Sequence, residues 1–130
     1  MNMKQSKCVQ AYKALLKIMN QDTSLPTARK VFELSRKLQP AWEFQLNEER
    51  KIFERHPDID PSNGSVTYET GNKEQEEKML NELNDFDKEM KELGDMEQTI
   101  EAEPFVIFEE ENIKIAGKDI QALEDLITFE

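Results

Sequence analysis

Only two side chains in this sequence combine nucleophilic or proton-transfer chemistry with an ordinary pKa near neutrality, Cys8 and His56. The chain has one cysteine and one histidine, so a Ser-His-Asp triad, a Cys-His pair or a histidine metal site would each depend on His56. No residue pattern supplies an oxyanion hole or a third catalytic member. We interpret Cys8 as a helix-face residue and His56 as a helix-end residue. The sequence therefore predicts that the protein is not an enzyme and has no cofactor.

Carboxylates are abundant and often adjacent. Examples are Glu76/Glu77, Asp85/Asp87 and the run 109–111. Glycosidase or two-metal chemistry needs such groups in a concave, partly apolar pocket, whereas these lie in highly polar stretches. We interpret them as solvated faces, and we predict that Glu76, Glu77, Asp85 and Asp87 contact a partner.

The segment 58–69 has part of the spacing of a calcium-binding loop. Asp58, Asp60, Ser62 and Glu69 fall at positions 1, 3, 5 and 12 of that template. The template requires glycine at position 6, but Gly64 is at position 7. The sequence therefore favours a turn rich in Asp, Asn and Gly over a metal site.

Charge is distributed unevenly along the chain, whose net charge is −11. Residues 1–40 hold eight Lys or Arg against two Asp or Glu, whereas residues 41–130 hold nine against 26. The balances are +6 and −17, and so strong a negative field disfavours broad binding to nucleic acid or anionic membranes. A basic protein surface, or a cationic groove that normally holds nucleic acid, is the expected partner. No apolar window approaches a membrane span, and we expect cytoplasmic residence.

Hydrophobic periodicity predicts three helices and a short C-terminal segment, all in one domain of residues 1–130. The first helix lies within 1–20, and residues 25–94 form a long antiparallel helical hairpin with a turn at 57–72. Pro40 lies inside the second helix, where one bent segment is favoured over two helices. The third helix is expected to end at Leu93, with Gly94 as a left-handed cap. Asn63-Gly64 predicts a tight turn, with strand-like composition at 65–70.

The predicted buried stripes follow three- and four-residue steps. They are Val9, Tyr12, Leu15, Leu16 and Met19 in the first helix; Ala28, Val31, Phe32, Leu38, Trp42, Leu46, Ile52 and Phe53 in the second; and Met79, Leu83, Phe86, Met90 and Leu93 in the third. Trp42, Phe44 and Phe53 cannot all face one narrow stripe. Two interpretations stay open: aromatics at a bend are more often part of the core, whereas an exposed aromatic on a charged helix is a common contact anchor. We predict Trp42, Phe44 and Phe53 as partner-binding residues.

Residues 95–130 change in character and predict a strand–turn–helix cap. Residues 98–103 alternate in polarity, and 105–108 form a continuous apolar run after Pro104. Ile113 and Ile115 predict a brief second strand, and residues 117–128 a final helix. The overall fold class is mainly α (α+β), with an N-terminal helix, the hairpin and this cap.

Several short motifs resemble a group of small proteins from tailed bacteriophages and prophages. They are LPTARK at 25–30, LQPAWE at 38–43, NEERKI at 47–52, the Asn63-Gly64 turn, the acidic third helix and IAGKDIQALEDLI at 115–127. The resemblance covers most of the chain and implies a phage origin, a helical hairpin and a C-terminal α/β cap. It carries no catalytic residue to this sequence.

These observations together predict a non-enzymatic phage protein that binds a protein partner, as an assembly factor or a virion accessory component. The expected location is the host cytoplasm or the virion, and a homo-oligomer is possible because the seam of the third helix could close on a second copy. The alternative is an acidic inhibitor that imitates DNA and blocks a host defence or nucleic-acid enzyme. Binding by such a mimic would weaken steeply as salt rises.

Overall fold

The structure, a computed structural model, describes residues 1–66 and 71–130. Its helices are α1 (Gln5–Met19), α2 (Leu25–Arg55), α3 (Lys73–Asp95) and α4 (Gly117–Ala122), with a 3₁₀ turn at Glu109–Glu111. Its strands are β1 (Asn2–Lys4), β2 (Glu97–Thr99), β3 (Phe105–Ile107) and β4 (Ile127–Phe129). The mainly α, α+β class is confirmed.

The first core forms between α1 and the N-terminal half of α2, and the C-terminal segment covers it. Cys8, Ala11 and Ala14 are fully buried, and such small side chains allow two helices to approach closely. Leu15 and Ile18 fill the space that remains. The predicted stripe was wrong at Leu16 and Met19, which are exposed, because α2 packs against the neighbouring line of residues.

Helix α2 continues without interruption through Pro40, so the single segment is confirmed. Proline lacks the amide that would bond the carbonyl of Arg36, but Pro40 is exposed and water can reach that carbonyl. Buried Leu38 and Ala41 hold the helix on both sides of the proline. The predicted stripe was wrong at Ala28, Phe32 and Leu46, which are exposed; Leu34 and Ser35 are buried instead.

The second core joins the C-terminal half of α2 to α3, so the two helices of the predicted hairpin meet over that half, while the N-terminal half of α2 packs on α1. Its buried members are Ile52, Ile59, Phe86 and Leu93. The predicted seam of α3 is confirmed, with Met79 also buried and Leu83 and Met90 half-buried. Gly94 is not a left-handed cap: it lies inside α3, which ends at Asp95. A Cβ there would lie 3.4 Å from the Cβ of Ser6, an ordinary contact distance, so Gly94 lies beside α1.

The connector turns at Asn63-Gly64, as predicted. The amides of both residues donate to the carbonyl of Asp60, and Gly64 has a φ of 69°. An antiparallel bridge joins Ile59 to Val66, so the strand-like character begins where it was expected. The rest of that predicted stretch, residues 67–70, lies outside the described residues.

Two small sheets complete the fold. β1 pairs with β2 in antiparallel fashion, which ties the N-terminus to the end of α3. β3 pairs with β4 in parallel, across the connection that contains α4. The predicted strand at Ile113 and Ile115 is absent from the described structure, and the predicted final helix stops at Ala122. Both corrections have one cause, since β3 takes its hydrogen bonds from the far end of the chain, which local pattern does not reveal.

The C-terminal segment also holds the start of α2. Ser24 is the N-cap residue, but its side chain does not bond the helix backbone. The carboxylate of Glu111 instead accepts hydrogen bonds from the amide and hydroxyl of Ser24 and from the Thr27 hydroxyl. A carboxylate at this end of a helix is favoured by the helix dipole. These bonds hold the pKa of Glu111 below its usual range, with the Ser24 hydroxyl as the main cause.

Candidate partner-binding surfaces

The three aromatic candidates do not form one exposed patch. The Trp42 ring stacks on Tyr12, with 5.5 Å between centroids, and the ammonium of Lys13 lies 5.4 Å from the Trp42 centroid. Phe44 and Phe53 are half-buried and pack against the second core. The Phe53 ring lies 5.1 Å from that of Phe86. All three therefore contribute to packing within the chain.

The acidic candidates lie on α3 and divide between two faces. At about 100° per residue, Glu76, Glu77 and Asp87 lie within roughly 60° of Leu80 around the helix axis. Asp85 lies roughly 140° from Leu80, on another side. Leu80 is 58% exposed, although the seam residues of the same helix are buried or half-buried. The structure thus gathers three candidates around an exposed leucine that sequence reasoning did not select, and separates the fourth.

We call the surface formed by Glu76, Glu77, Leu80, Asn84 and Asp87 the acidic face of α3. Glu77, Asn84 and Asp87 are exposed, whereas Glu76 is half-buried and its carboxylate accepts a hydrogen bond from the Gly71 amide at 3.3 Å. Leu80, at the centre of this face, is surrounded by carboxylate and amide groups. Such a surface complements a basic partner with an apolar contact point.

His56 clamps α2 to α3. Its Nε2 lies 2.8 Å from a carboxylate oxygen of Glu89, and its Nδ1 lies 3.8 Å from Glu82. The ring edge approaches Phe86, with 5.9 Å between centroids. Partial burial tends to raise the pKa of Glu89, but hydrogen bonds from His56 and Arg55 outweigh it and hold that pKa below its usual range. The histidine at the helix end therefore has an intramolecular role.

The thiol of Cys8 is enclosed in the first core. Cys8 has no exposed surface, and burial raises its pKa. A raised pKa keeps the sulfur protonated and weakly nucleophilic near neutral pH. Cys8 therefore acts as a small packing residue, which agrees with its interpretation as a helix-face side chain.

Part of the basic N-terminal region is neutralised inside the molecule. Lys7 contacts Glu124 at 2.8 Å and Asp125 at 2.9 Å, and Lys17 contacts Asp119 at 3.0 Å. The hydrogen bonds to Glu124 and Asp125 raise the pKa of Lys7. These pairs join α1 to the segment around α4. Because they involve only Lys7 and Lys17, they neutralise only part of the positive charge of residues 1–40.

The cations in the N-terminal half of α2 are arranged differently. Arg29, Lys30, Arg36 and Lys37 are exposed, and among the described residues none of them forms an ion pair. The guanidinium of Arg36 lies 5.7 Å from the Phe32 centroid. The N-terminal half of α2 therefore presents free positive charge beside an exposed aromatic ring.

Two broad grooves border these helices. One, of about 650 Å³, lies between α2 and residues 101–105 and is lined by Lys30, Lys37 and Glu101 among others. The other, of about 610 Å³, lies between α1 and α4. Both mix charges of opposite sign, unlike an apolar small-molecule pocket with a few polar groups.

The calcium alternative finds no support in the described residues. The Asp60 carboxylate accepts hydrogen bonds from the amide and hydroxyl of Ser62. The side-chain oxygen of Asn63 accepts from the amide and hydroxyl of Ser65 in the same way. These are the expected Asx turns, whereas Glu69 lies outside the described residues. In residues 1–66 and 71–130, no group of three or more His, Cys, Asp or Glu is placed to hold a metal ion.

The exposed leucines and phenylalanine of α2 were the main surface feature that sequence reasoning missed. Leu25, Phe32 and Leu46 are 72%, 48% and 47% exposed. A signal was present, because the three occur at multiples of seven residues, on a line beside the buried stripe. Phe32 and Leu46 were instead assigned to the core.

Comparisons with protein-family models, curated proteins and solved structures find no match to this chain. The phage resemblance stays a prediction. Across the described residues, none of the helices is both long enough and apolar enough to cross a membrane.

Proposed function

We propose that this chain is a non-enzymatic phage protein that binds a protein partner through its helical hairpin, as an assembly factor or a virion accessory component. The contact surface is the acidic face of α3, and the partner presents a basic surface. The site of action is the host cytoplasm or the virion.

The observation that carries this proposal is the exposure of Leu80 among acidic neighbours. Helix α3 buries Met79, Phe86 and Leu93 in its seam, whereas Leu80 lies outside the seam and is exposed. An isolated exposed leucine is ordinary, but one with the carboxylates of Glu76, Glu77 and Asp87 around it has the form of a contact anchor. Charge around it guides the encounter, and the leucine adds apolar contact.

The positions of the reactive side chains also favour binding over catalysis. His56 is engaged by Glu82 and Glu89, and Cys8 is enclosed between helices. Each therefore has a role in the stability of the fold. A surface that recognises a partner needs neither group.

The second candidate is a DNA mimic, and the spread of carboxylates favours it. Asp85 and Glu92 are exposed on a side of α3 away from Leu80, and Glu109 and Glu110 are exposed near the C-terminus. With negative charge on several sides, the protein would fit a cationic groove of a target enzyme that normally holds nucleic acid. Lys78, Lys88 and Lys91 interrupt this charge along α3, which weakens the imitation of a phosphate row.

Affinity capture from infected host cells with two charge-matched variants tests the proposal. Glu77→Lys/Asp87→Lys reverses the acidic face, and Asp85→Lys/Glu92→Lys makes the same charge change elsewhere on α3. We expect the first variant to lose the partner and the second to keep it. A partner retained equally by both variants contradicts the proposed face.

Salt and DNA separate the two candidates. A contact anchored by Leu80 should weaken only moderately as salt rises, because salt screens charges but not apolar contact. A mimic should lose affinity steeply and should compete with duplex DNA for its target. Loss of the partner in both variants together with competition by DNA would favour the mimic.

A further inference from the structure

The exposed side of α2 carries a regular pattern of side chains that do not pack in either core. Residues 25, 28, 29, 32, 36, 39, 43, 46, 50 and 54 are all exposed, and they follow one line along the helix. Its large apolar members are Leu25, Phe32 and Leu46, with Gln39 midway between the last two. We call this line the heptad stripe, because residues at 25, 32, 39 and 46 repeat every seven positions.

The stripe differs in charge from one end to the other. Its N-terminal half holds Arg29 and Arg36, which have no ion-pair partner among the described residues. Its C-terminal half holds Glu43, Arg50 and Glu54, and the Arg50 guanidinium lies 4.0 Å from the Glu54 carboxylate. This half lies beside the acidic helix α3. The helix has 31 residues, or roughly 46 Å at 1.5 Å per residue, so the two ends are well separated.

We propose that the heptad stripe is a dimer interface, on which a second copy of this chain packs α2 against α2 in antiparallel orientation. A two-fold axis at Gln39 places Phe32 of each copy opposite Leu46 of the other. It also places Arg36 of each copy close to Glu43 of the other, about one helical turn from the axis. Each contact occurs twice, as a symmetric dimer requires.

Charge complementarity between Arg36 and Glu43 at the centre of the stripe selects this occupant and this orientation. A parallel pair would align Arg36 with Arg36 and Glu43 with Glu43, and like charges across an interface oppose association. The antiparallel pair instead joins Arg36 to Glu43 twice near its centre. It brings Arg29 of each copy near Arg50 of the other, where Glu54 of the same helix offsets the Arg50 charge. Gln39 of each copy lies at the axis and can form a hydrogen bond with Gln39 of the other copy. A polar residue at such a position fixes the register of the two helices.

The flanks of the stripe extend the interface. Tyr12 of α1 stacks on Trp42 of α2, so the side of α1 that carries Tyr12 lies next to the stripe. Leu16 and Met19 follow Tyr12 at four and seven residues and are exposed on that side. The apolar strip is still narrow compared with a stable interface of roughly 800 Å² per partner. We therefore expect a dimer with an affinity in the micromolar range.

Sedimentation of the full chain over an approximately hundredfold concentration range tests the dimer. The unaltered protein should pass from monomer to dimer. Phe32→Glu should weaken association at least about tenfold, because it places a charge in the apolar centre of the contact. Phe32 is half-exposed, so this variant should keep the fold, which a thermal melt by circular dichroism checks.

Charge exchange tests the geometry. Arg36→Glu and Glu43→Arg should each weaken the homodimer, because each creates like-charge contacts across the axis. A mixture of the two variants should recover association, since one copy then carries glutamate at both positions and the other carries arginine at both. Every contact between positions 36 and 43 in that heterodimer joins opposite charges. Lys37→Glu is the matched control: it makes the same charge change beside the stripe and should dimerise normally.

The outcomes separate cleanly. A monomer at every concentration overturns the proposal, including the case in which the monomer binds an acidic helical peptide through the stripe. A dimer that Phe32→Glu leaves intact, or a variant mixture that fails to recover association, overturns it as well. Recovery in the mixture, with a normal Lys37→Glu dimer, supports the antiparallel pairing.

Discussion

Gln5 is the most informative position for a test of how the first core is held. Its side chain is fully buried and makes three hydrogen bonds. The amide nitrogen donates to the carbonyl of Ala41 at 2.7 Å and to Gln45 at 3.2 Å, and the amide oxygen accepts from Gln98 at 2.9 Å. One side chain thus joins α1, α2 and β2, so its chemistry should control stability.

Replacing Gln5 by Glu preserves the shape but exchanges two donors for an oxygen. The carboxylate would face the carbonyl of Ala41 and the amide oxygen of Gln45 without water. Burial of this kind raises a carboxyl pKa by about 3 units. At about 1.4 kcal/mol per unit, Gln5→Glu should lose roughly 3–4 kcal/mol of stability at pH 7 through ionisation alone.

The pH dependence identifies the cause. A carboxyl whose pKa is higher in the folded state keeps its full stability below the unfolded value of about 4.3 and loses it as pH rises through the folded value. The stability of Gln5→Glu, relative to the unaltered chain, should therefore fall between pH 4 and pH 7. Gln5→Met, which is apolar and similar in size, should lose about 1–2 kcal/mol at every pH, because only neutral hydrogen bonds are removed.

Urea denaturation at several pH values measures both variants, and thermal melts should show a drop of roughly 10–15 °C for Gln5→Glu at pH 7. The reasoning would be refuted if Gln5→Glu and Gln5→Met had the same stability at pH 7. It would also be refuted if the loss in Gln5→Glu did not change with pH. Either result would mean that water reaches this site in the folded protein.

Three further predictions concern other parts of the fold. Pro40→Ala should raise the free energy of unfolding by about 2 kcal/mol in urea titrations, because it restores an amide to the interior of α2; an unchanged or lower value would mean that the helix around Pro40 depends on the proline ring. Glu111→Gln should lower the thermal midpoint at pH 7, because it weakens the cap of α2. The pKa of Glu111 is lowered in the folded state, so its contribution should be lost as pH falls through that value; a difference that persists fully in strong acid would contradict this origin. Cys8 should react with a thiol reagent at least about a hundredfold more slowly in the native protein than in denaturant, because reaction requires the core to open; a fast native reaction would show that the first core is loosely packed.

Some features follow from the sequence alone because their signals are local. The α3 seam repeats at steps of three and four residues with polar residues elsewhere, so only one face can be buried. Asn63-Gly64 specifies a turn because glycine accepts a positive φ. The opposite charge of residues 1–40 and 41–130 is likewise fixed by composition.

The choice between adjacent apolar lines on α1 and α2 needed the tertiary structure. Each helix offers two overlapping stripes, and periodicity does not say which one meets the other helix. Packing of Cys8, Ala11 and Ala14 against α2 leaves Leu16 and Met19 outside. The same choice exposes Phe32 and Leu46, which is why the heptad stripe emerged only from the fold.

The remaining corrections are non-local for the same reason. β4 is a strand because β3, on the other side of α4 in the sequence, supplies its hydrogen bonds, and Gly94 lies inside α3, where Ser6 of α1 approaches it. Glu111 caps a helix that begins more than eighty residues earlier. Sequence pattern determines which segments can form helices and where charge lies; the contacts between distant segments decide which side chains are buried, because burial depends on the partner surface and not on the segment itself.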